Sequence, residues 1–388
     1  MDRRRLLALL SGSTIPLIGH PGVGLEGAAD KPPGAPQGDT IVLGQTADFS
    51  TSRAAISKAY AEGADLVFQA VNAGGGVHGR RIRVLQLDDG YDVKRAEDNV
   101  RILNEQHKVF ALVHLVGTGI VERVLPYVAQ AGIPLVHPIT GADSVRPPAR
   151  AVREAFFLRA SYGREVDRIA SHLATLGIDK LGLLIEDEPF GLSVRKNVET
   201  ATEKHSLDLV ASGVVPPNRP TAEAVAPAVK AMLKARPQVI LFGTAGPVVE
   251  QFVRAYHAAG GRAQFYCLSV ANVERLVRDL GPLSAGIVVV QVMPDVRTSN
   301  LPLVREYREA VIKRNATPGV FGLEGYISAR VIVQALRDAG EAPTRERFMA
   351  GLERQSQVGG FPVKYKDARQ GSPFAELSMI GREGRSVR

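Results

Sequence analysis

From residue 41 onward the hydrophobic pattern changes period repeatedly, from short apolar runs of strand length to stretches with an apolar residue at every third or fourth position. A chain that alternates in this way folds most simply into parallel strands joined by helices. Ile41 to Ala47 reads as a strand. Ile56, Tyr60, Ala64, Val67, Phe68 and Val71 then share one face of a helix, which Gly74-Gly75-Gly76 stops. Ile82 to Leu87, Val109 to Leu115 and Pro134 to Pro138 are further strands, with helices predicted over Val93 to Gln106 and Ile120 to Gln130.

A second unit with the same rhythm begins at Phe156 to Leu158. Its helices are predicted at Tyr162 to Leu176, Leu192 to His205, Thr221 to Ala235, Pro247 to Ala259 and Val273 to Leu280. Its strands are predicted at Lys180 to Ile185, Leu209 to Val215, Gln238 to Phe242, Ala263 to Leu268 and Ile287 to Val292. Each unit spans roughly 120 residues, an ordinary domain size. Residues 301–315, 322–338 and 344–353 then read as helices with no strand between them. Such a tail covers the earlier sheets rather than forming a domain of its own. A hairpin of Phe361 to Tyr365 with Phe374 to Ile380 is expected to close the chain.

The N-terminus reads differently. Arg3-Arg4-Arg5, an apolar run through Ile18 and the small residues Gly27-Ala28-Ala29 have the form of an export signal over residues 1–29, too short and interrupted for a membrane span. The arginine cluster is compatible with a twin-arginine route, but the Sec route is the simpler reading. Residues 30–40 form a proline- and glycine-rich linker. No later run of 18 apolar residues follows, so a periplasmic protein without membrane insertion is expected. The single cysteine, Cys267, permits no internal disulfide, no lipid anchor at the cleavage point and no cysteine-rich metal centre.

The 48 lysines and arginines exceed the 40 acids, and removal of the leader leaves 45 against 38. The excess is scattered, without the basic run and interleaved aromatics of a nucleic-acid surface, so no nucleic acid is expected as partner. Gly22-Val-Gly24-Leu-Glu-Gly27 matches a dinucleotide-binding spacing, but no strand precedes it and no helix follows. No phosphate-binding loop, zinc-protease helix, calcium loop or nucleophile elbow occurs.

The informative segments are the loops at strand carboxyl ends, where open α/β sheets bind ligands against helix N-termini. In the first unit these are Asp48-Phe49-Ser50-Thr51-Ser52, Gly117-Thr118-Gly119 and Thr140-Gly141-Ala142-Asp143. Glycine admits close approach, and the hydroxyls can grip a carboxylate; the competing reading is that Ser50, Thr118 and Thr140 are helix caps. The second unit offers Glu186 to Gly191, Gly243-Thr244-Ala245-Gly246 and Ser269-Val270-Ala271-Asn272. His114 and His137 lie near the ends of strands that can be neighbours. They fit a metal or acid–base pair, or packing beneath the pocket; with no third ligand nearby, no metal and no cofactor are expected. His78, in a glycine turn, reads as surface.

Ile41-Val-Leu-Gly-Gln-Thr-Ala-Asp48, Asp65 to Gly79, Leu87-Asp-Asp-Gly-Tyr-Asp92, Val116-Gly-Thr118, Ala131-Gly-Ile-Pro134, Thr140-Gly-Ala-Asp143, Leu158-Arg-Ala-Ser-Tyr162, Phe190-Gly191, Gln264-Phe-Tyr266, Pro302 to Tyr307 and Leu323-Glu-Gly-Tyr326 follow one another in an order and spacing that carry a resemblance. The chain resembles the type I periplasmic solute-binding proteins of ABC transporters, in the branched-chain amino acid (Leu/Ile/Val-binding) family. The resemblance implies an α/β fold of two Rossmann-like, doubly wound lobes joined by three hinge crossovers, near Arg159, near Met293 and before the terminal hairpin. Lobe 1 would comprise residues 41–159 and 294–353, and lobe 2 residues 160–293 and 354–388. The implied function is capture of a small amino acid, carboxylate or amide by a monomeric, non-enzymatic subunit that delivers it to membrane permeases.

Carried over by position, Thr118, Thr140 and the backbone N–H groups of Gly141 and Ala142 would hold a polar or anionic head group. Ser50 and Gly117 would belong to the same wall. Tyr162 would close from the hinge, Phe190, Thr244, Ser269 and Tyr326 would line the other side, and Glu324 would reach the cleft. Amino-acid binders of this family place an acid near 269–272 for the α-ammonium, and here there is none. Asp187, Glu188 or Glu324 would have to substitute, or else the ligand lacks an amine. A sensor feeding a membrane receptor is the alternative use of the same cleft, and an exported enzyme using His114 and His137 is the more distant one.

Overall fold

The computed structural model describes residues 38–51, 53–217, 219–366 and 370–387. The expected export signal, most of the linker and the Gly22 to Gly27 spacing lie outside the described residues, as does Ser52. The first half builds β1 (Thr40–Ala47), α1 (Ala54–Ala73), β2 (Arg81–Asp88), α2 (Val93–Arg101), β3 (Ala111–Val113), α3 (Thr118–Ala131), β4 (Leu135–Val136) and β5 (Ala155–Phe156). The strands form one parallel sheet in the order β2-β1-β3-β4-β5, with Thr40 opposite Arg81 and Leu43 opposite both Val84 and Ala111. β1 is buried along nearly its whole length, as a central strand covered on both faces must be, whereas edge strand β2 has exposed positions throughout. Tyr60, Ala64, Val67 and Phe68 are buried on α1, the face that the sequence spacing marks. α2 starts where Asp92 accepts from Arg95 N at 2.7 Å, and it continues as one wide turn over Ile102–Gln106.

The second sheet repeats this plan. After α4 (Tyr162–Thr175) come β6 (Lys180–Glu186), α5 (Pro189–His205), β7 (Asp208–Val215), α6 (Ala222–Ala235), β8 (Val239–Gly243), α7 (Pro247–Ala258), β9 (Gln264–Cys267), α8 (Val273–Leu280) and β10 (Val288–Gln291). Their parallel order is β7-β6-β8-β9-β10, topologically the order of the first sheet. Ser161, Thr221 and Asn272 cap α4, α6 and α8 by accepting a backbone N–H three residues on. Pro189 and Pro247 occupy first-turn positions, where a missing N–H costs nothing.

The tail contains α9 (Pro302–Ile312), α10 (Val320–Asp338), α11 (Arg345–Glu353), β11 (Gln357–Val358), β12 (Phe361–Pro362), β13 (Glu376–Ile380) and β14 (Ser386–Val387). Leu303, Tyr307, Leu323, Ile327, Phe348 and Leu352 share a core with Leu43, Phe68 and Phe110, so the tail helices cover the first sheet. Burial of each such side chain contributes about 1.5–3 kcal/mol. The chain crosses between the sheets after β5, after β10 and again before β13.

Three sequence expectations need correction. Phe156 does not open the second unit; it pairs with Val136 and completes the first sheet. The terminal hairpin does not form as expected: β12 pairs with β11, while β13 pairs antiparallel with β10 and with β14. Residues 354–365 do not belong with the second lobe either, because Val358, Phe361, Val363 and Tyr365 are buried in the core of the first. Among the described residues no helix is long and apolar enough to cross a membrane.

Candidate functional site

In each sheet the order reverses between the first and third strands of the unit, which leaves a crevice at their carboxyl ends. The two crevices meet in one cavity. Asp48 beyond β1 and Val116-Gly117 beyond β3 line it from one side; Ala245-Gly246 beyond β8 and Val270-Ala271-Asn272 beyond β9 line it from the other. Helices α1, α3, α4, α5, α7 and α8 all contribute residues of their first turns to the wall. First-turn N–H groups lack acceptors one turn back in their own helix, but several on this wall are already taken by caps and turns: Ile56 N by Arg53 O, Tyr162 N by Gly141 O, Val249 N by Gly246 O and Arg275 N by Asn272 Oδ1. Much of the remaining lining is apolar, including Ile56, Ile139, Phe190, Val249 and Leu276.

The first-lobe wall is built around two threonines. Thr118 Oγ1 lies 2.9 Å from Thr140 Oγ1, which also accepts from Ala142 N at 3.1 Å. Neither is a side-chain cap of α3, whose N-cap is Gly117 at φ +109°. A Cβ there would sit 2.8 Å from the Tyr91 ring, so only glycine fits both the dihedral and the space. Gly141 is restricted for space alone, because a Cβ would come within 2.5 Å of the Tyr162 ring. Tyr162 in turn packs on Phe190, ring centres 4.9 Å apart.

Charged groups cross the cleft. Arg53, at the start of α1, lies 2.8 Å from Glu186 at the end of β6 and 3.6 Å from Glu188, with its guanidinium over the Tyr91 ring at 4.7 Å. Burial disfavours the Arg53 cation, but Glu186, Tyr91 and Glu188 outweigh it and hold its pKa above the ordinary value. Glu186 also accepts from Thr244 Oγ1 at 2.6 Å. On the second lobe, Glu250 Oε1 accepts from Arg275 Nε at 3.0 Å, and Arg275 Nε is also 3.3 Å from Asp279. Burial pushes the Glu250 carboxyl up, partly offset by its own backbone N–H and by Arg275.

Of the sequence-predicted residues, Gly117, Thr118, Tyr162 and Phe190 line the cavity. Thr140, Gly141 and Ala142 are buried immediately behind Thr118 and Tyr162. The others are directed elsewhere. Ser50 is exposed and donates to Asp88 at 2.7 Å. Thr244 is occupied with Glu186, and Ser269 gives both its N–H and its hydroxyl to buried Glu165, each at 2.8 Å. Glu324 forms a buried bidentate pair with Arg159 at 2.9 and 3.1 Å. Tyr326 packs on Tyr307 and lies 3.4 Å from Arg330. Of the suggested substitute acids, Asp187 is exposed and Glu188 faces Arg53.

His114 and His137 lie beneath the wall in left-handed backbone, at φ 57° and 55°. Both meet the Ser328 hydroxyl, at 2.7 and 2.6 Å, and His137 also meets Tyr365 OH at 2.6 Å. Burial lowers the His114 pKa to about 3 and that of His137 well below its usual value, so both are neutral packing groups. Among the described residues no three His, Cys, Asp or Glu side chains gather as a metal site.

Sequence reading missed Arg53, Tyr91, Glu250 and Arg275. Glu250 and Arg275 stand three residues beyond Pro247 and Asn272, so reading one helical turn past each strand-end loop would have found them.

These features define a two-lobed protein with a cavity between paired α/β sheets. The chain belongs to the periplasmic binding protein family, whose model matches residues 40–380. It is 24% identical over 385 residues to the Leu/Ile/Val-binding protein homolog 7 of Brucella abortus (strain 2308), covering 94% of this chain and 95% of that one. The crystal structure of a substrate-binding periplasmic protein from Ralstonia solanacearum superposes with a TM-score of 0.82 at 32% identity, covering 89% of this chain and 99% of the other. That of a possible leucine/isoleucine/valine-binding protein from Rhodopirellula baltica SH 1 gives 0.83 at 26%, covering 92% and 98%.

Proposed function

We propose that this chain is the extracytoplasmic solute-binding subunit of an ABC importer, capturing a small amino acid, carboxylate or amide in the interlobe cleft and delivering it to membrane permeases. The observation that carries this reading is the cavity itself, formed where the switch points of both sheets meet and walled by residues of both lobes. The names of relatives from Brucella abortus and Rhodopirellula baltica, which refer to leucine, isoleucine and valine binding, support the amino-acid end of that range. Thr118, with the N–H groups at the start of α3, would receive the polar head group, while Tyr162 and Phe190 close over it. Ligand binds one lobe of an open form, the hinge closes, the second lobe completes the contacts, and the closed form is what permeases recognise. The protein would act as a monomer in the periplasm.

Native mass spectrometry of the protein purified without refolding tests the reading. A single small-molecule adduct, released by denaturation and restored on adding the released compound back, is expected. A protein that carries no adduct and takes up none from a periplasmic extract would overturn it.

A further inference from the structure

Beyond β2 the chain turns at Asp89-Gly90-Tyr91-Asp92, closed by Asp92 N donating to Asp89 O at 3.0 Å. Both central residues are left-handed, Gly90 at φ +57° and Tyr91 at φ +60°. Glycine takes that conformation freely, but a bulky aromatic residue is strained by it. Such strain persists only where the surroundings over-determine it, and here they do. The buried Asp89 carboxylate accepts from Tyr91 N at 2.9 Å and from Thr46 Oγ1 at 2.9 Å, while Asp92 caps α2 at Arg95 N. Glycine at 91 would make the same turn without strain, so the position of the aromatic ring is what the strain secures.

The ring stands at a boundary. The interlobe cavity has a neighbour at the mouth of the cleft, whose wall includes Gly119, Arg123, Glu188 and Pro189, and Tyr91 is the one residue among those described that lines both. Otherwise the walls divide between consecutive residues: Thr118 and Phe190 line the inner cavity, Gly119 and Pro189 the outer one. A Cβ on Gly119 would lie 3.2 Å from Pro189 Cγ, so the lobes meet at this division. The Tyr91 ring packs against Gly117, where no Cβ would fit, and carries the Arg53 guanidinium 4.7 Å from its centre. Arg53 is in turn held by Glu186 of the second lobe at 2.8 Å, so the ring is braced from both lobes. Gly117 immediately precedes Thr118, which places this partition at the head-group end of the inner cavity.

We propose that Tyr91 is a specificity-determining residue: its ring closes the inner cavity beyond the head group received at Thr118, so the cleft takes a solute that ends there and rejects the same solute continued by a further residue. The assignment rests on the solute-binding reading and narrows it to solutes with a terminal head group. Without the ring, the inner cavity would run on into the outer one, past Glu188 and Arg123.

Calorimetry of matched pairs tests it: leucine against leucylglycine, valine against valylglycine and isovalerate against isovalerylglycine, with wild type, Tyr91→Phe and Tyr91→Gly. Each glycine conjugate keeps the apolar body of its parent and continues the chain from the carboxyl carbon. The wild type is expected to bind at least one parent about tenfold or more tighter than its conjugate, because extra atoms forced into a packed site cost at least that much. Tyr91→Phe keeps the ring and is expected to keep the preference. Tyr91→Gly suits the left-handed backbone, so it is expected to retain the wild-type circular dichroism and to bind parent and conjugate about equally. A conjugate that binds wild type as tightly as its parent, a preference that survives Tyr91→Gly or is lost in Tyr91→Phe, or a Tyr91→Gly protein that binds neither member of a discriminated pair overturns the assignment and leaves solute binding standing. No binding of any of the six compounds to any of the three proteins counts against solute binding itself, and the assignment falls with it.

Discussion

Arg53 and Glu186 join the two lobes: a guanidinium at the start of α1 reaches a carboxylate at the end of β6, 2.8 Å away, with the glutamate side chain fully buried. The pair exists only while the lobes face each other closely, so it stabilises the closed arrangement and competes with any ligand group that would use Arg53. Arg53→Ala is expected to shift the ligand-free protein toward an open form, seen as a larger radius of gyration by small-angle X-ray scattering. An unchanged radius would mean that closure does not depend on the pair.

Thr118→Val removes the hydroxyl that meets Thr140 while keeping the shape of the side chain. Thr140 still accepts from Ala142 N, so the loop keeps its internal support. Ligand affinity is expected to fall about tenfold with little change in melting temperature, the cost of one hydrogen bond to a charged head group. Calorimetry showing unchanged affinity would remove Thr118 from the site.

The Arg159–Glu324 pair should behave as a unit. Both side chains are buried, and Arg159 Nη1 already lacks a partner. Glu324→Gln removes the carboxylate that the guanidinium grips, leaving Glu165 as its remaining acidic neighbour, and is expected to cost about 3–5 kcal/mol in urea unfolding. The double variant Arg159→Leu/Glu324→Leu is expected to lose less than the single one, because no guanidinium is left buried without its paired carboxylate and Glu165 keeps its Ser269 hydrogen bonds. A double variant less stable than Glu324→Gln would show that the hinge needs the ion pair itself.

The histidine cluster predicts a pH dependence. His114 titrates at about 3 in the fold against an ordinary value of 6.5, because burial disfavours its cation. The unfolded chain therefore takes up the proton first, and this contribution to stability is lost as pH falls below about 6.5. By pH 4.5 the loss is about 2–3 kcal/mol for His114 alone. Glu165 works in the opposite sense: burial raises its carboxyl to about 7 despite Arg159 and Ser269, so the fold binds its proton first and gains stability between about 7 and 4.5 as pH falls. The histidine part is isolated by His114→Asn/His137→Asn, since asparagine tolerates the left-handed backbone that both positions adopt. Urea midpoints measured from pH 7.5 to 4.5 should fall less steeply in the variant than in the wild type. Parallel curves would show that the histidines do not control acid stability.

The doubly wound plan was legible because it is written in local periods: the apolar stripe of Tyr60, Ala64, Val67 and Phe68 and the uninterrupted apolar run of β1 each carry their own signal. What failed was non-local. Ala155–Phe156 is too short to show which sheet it joins, and nothing near Glu376–Ile380 announces β10 as its partner. The site divided along the same line. Gly117 and Thr118 sit in a strand-end loop that a general rule singles out. The engagement of Ser269 by Glu165 and of Glu324 by Arg159 depends on helices folding back from 104 and 165 residues away. Arg53 was hidden for the same reason, because its role appears only when Glu186 arrives from the other lobe.

The central claim is that the cavity between the lobes takes up a small solute. Thermal unfolding of ligand-stripped protein against a panel of amino acids, carboxylates and amides tests it most directly, because only the folded form binds and saturation a hundredfold above the dissociation constant adds about 2.7 kcal/mol. At least one compound is expected to raise the melting temperature by several degrees in the wild type and by much less in Thr118→Val. A panel without any shift, or a shift that is the same in Thr118→Val, would contradict the account.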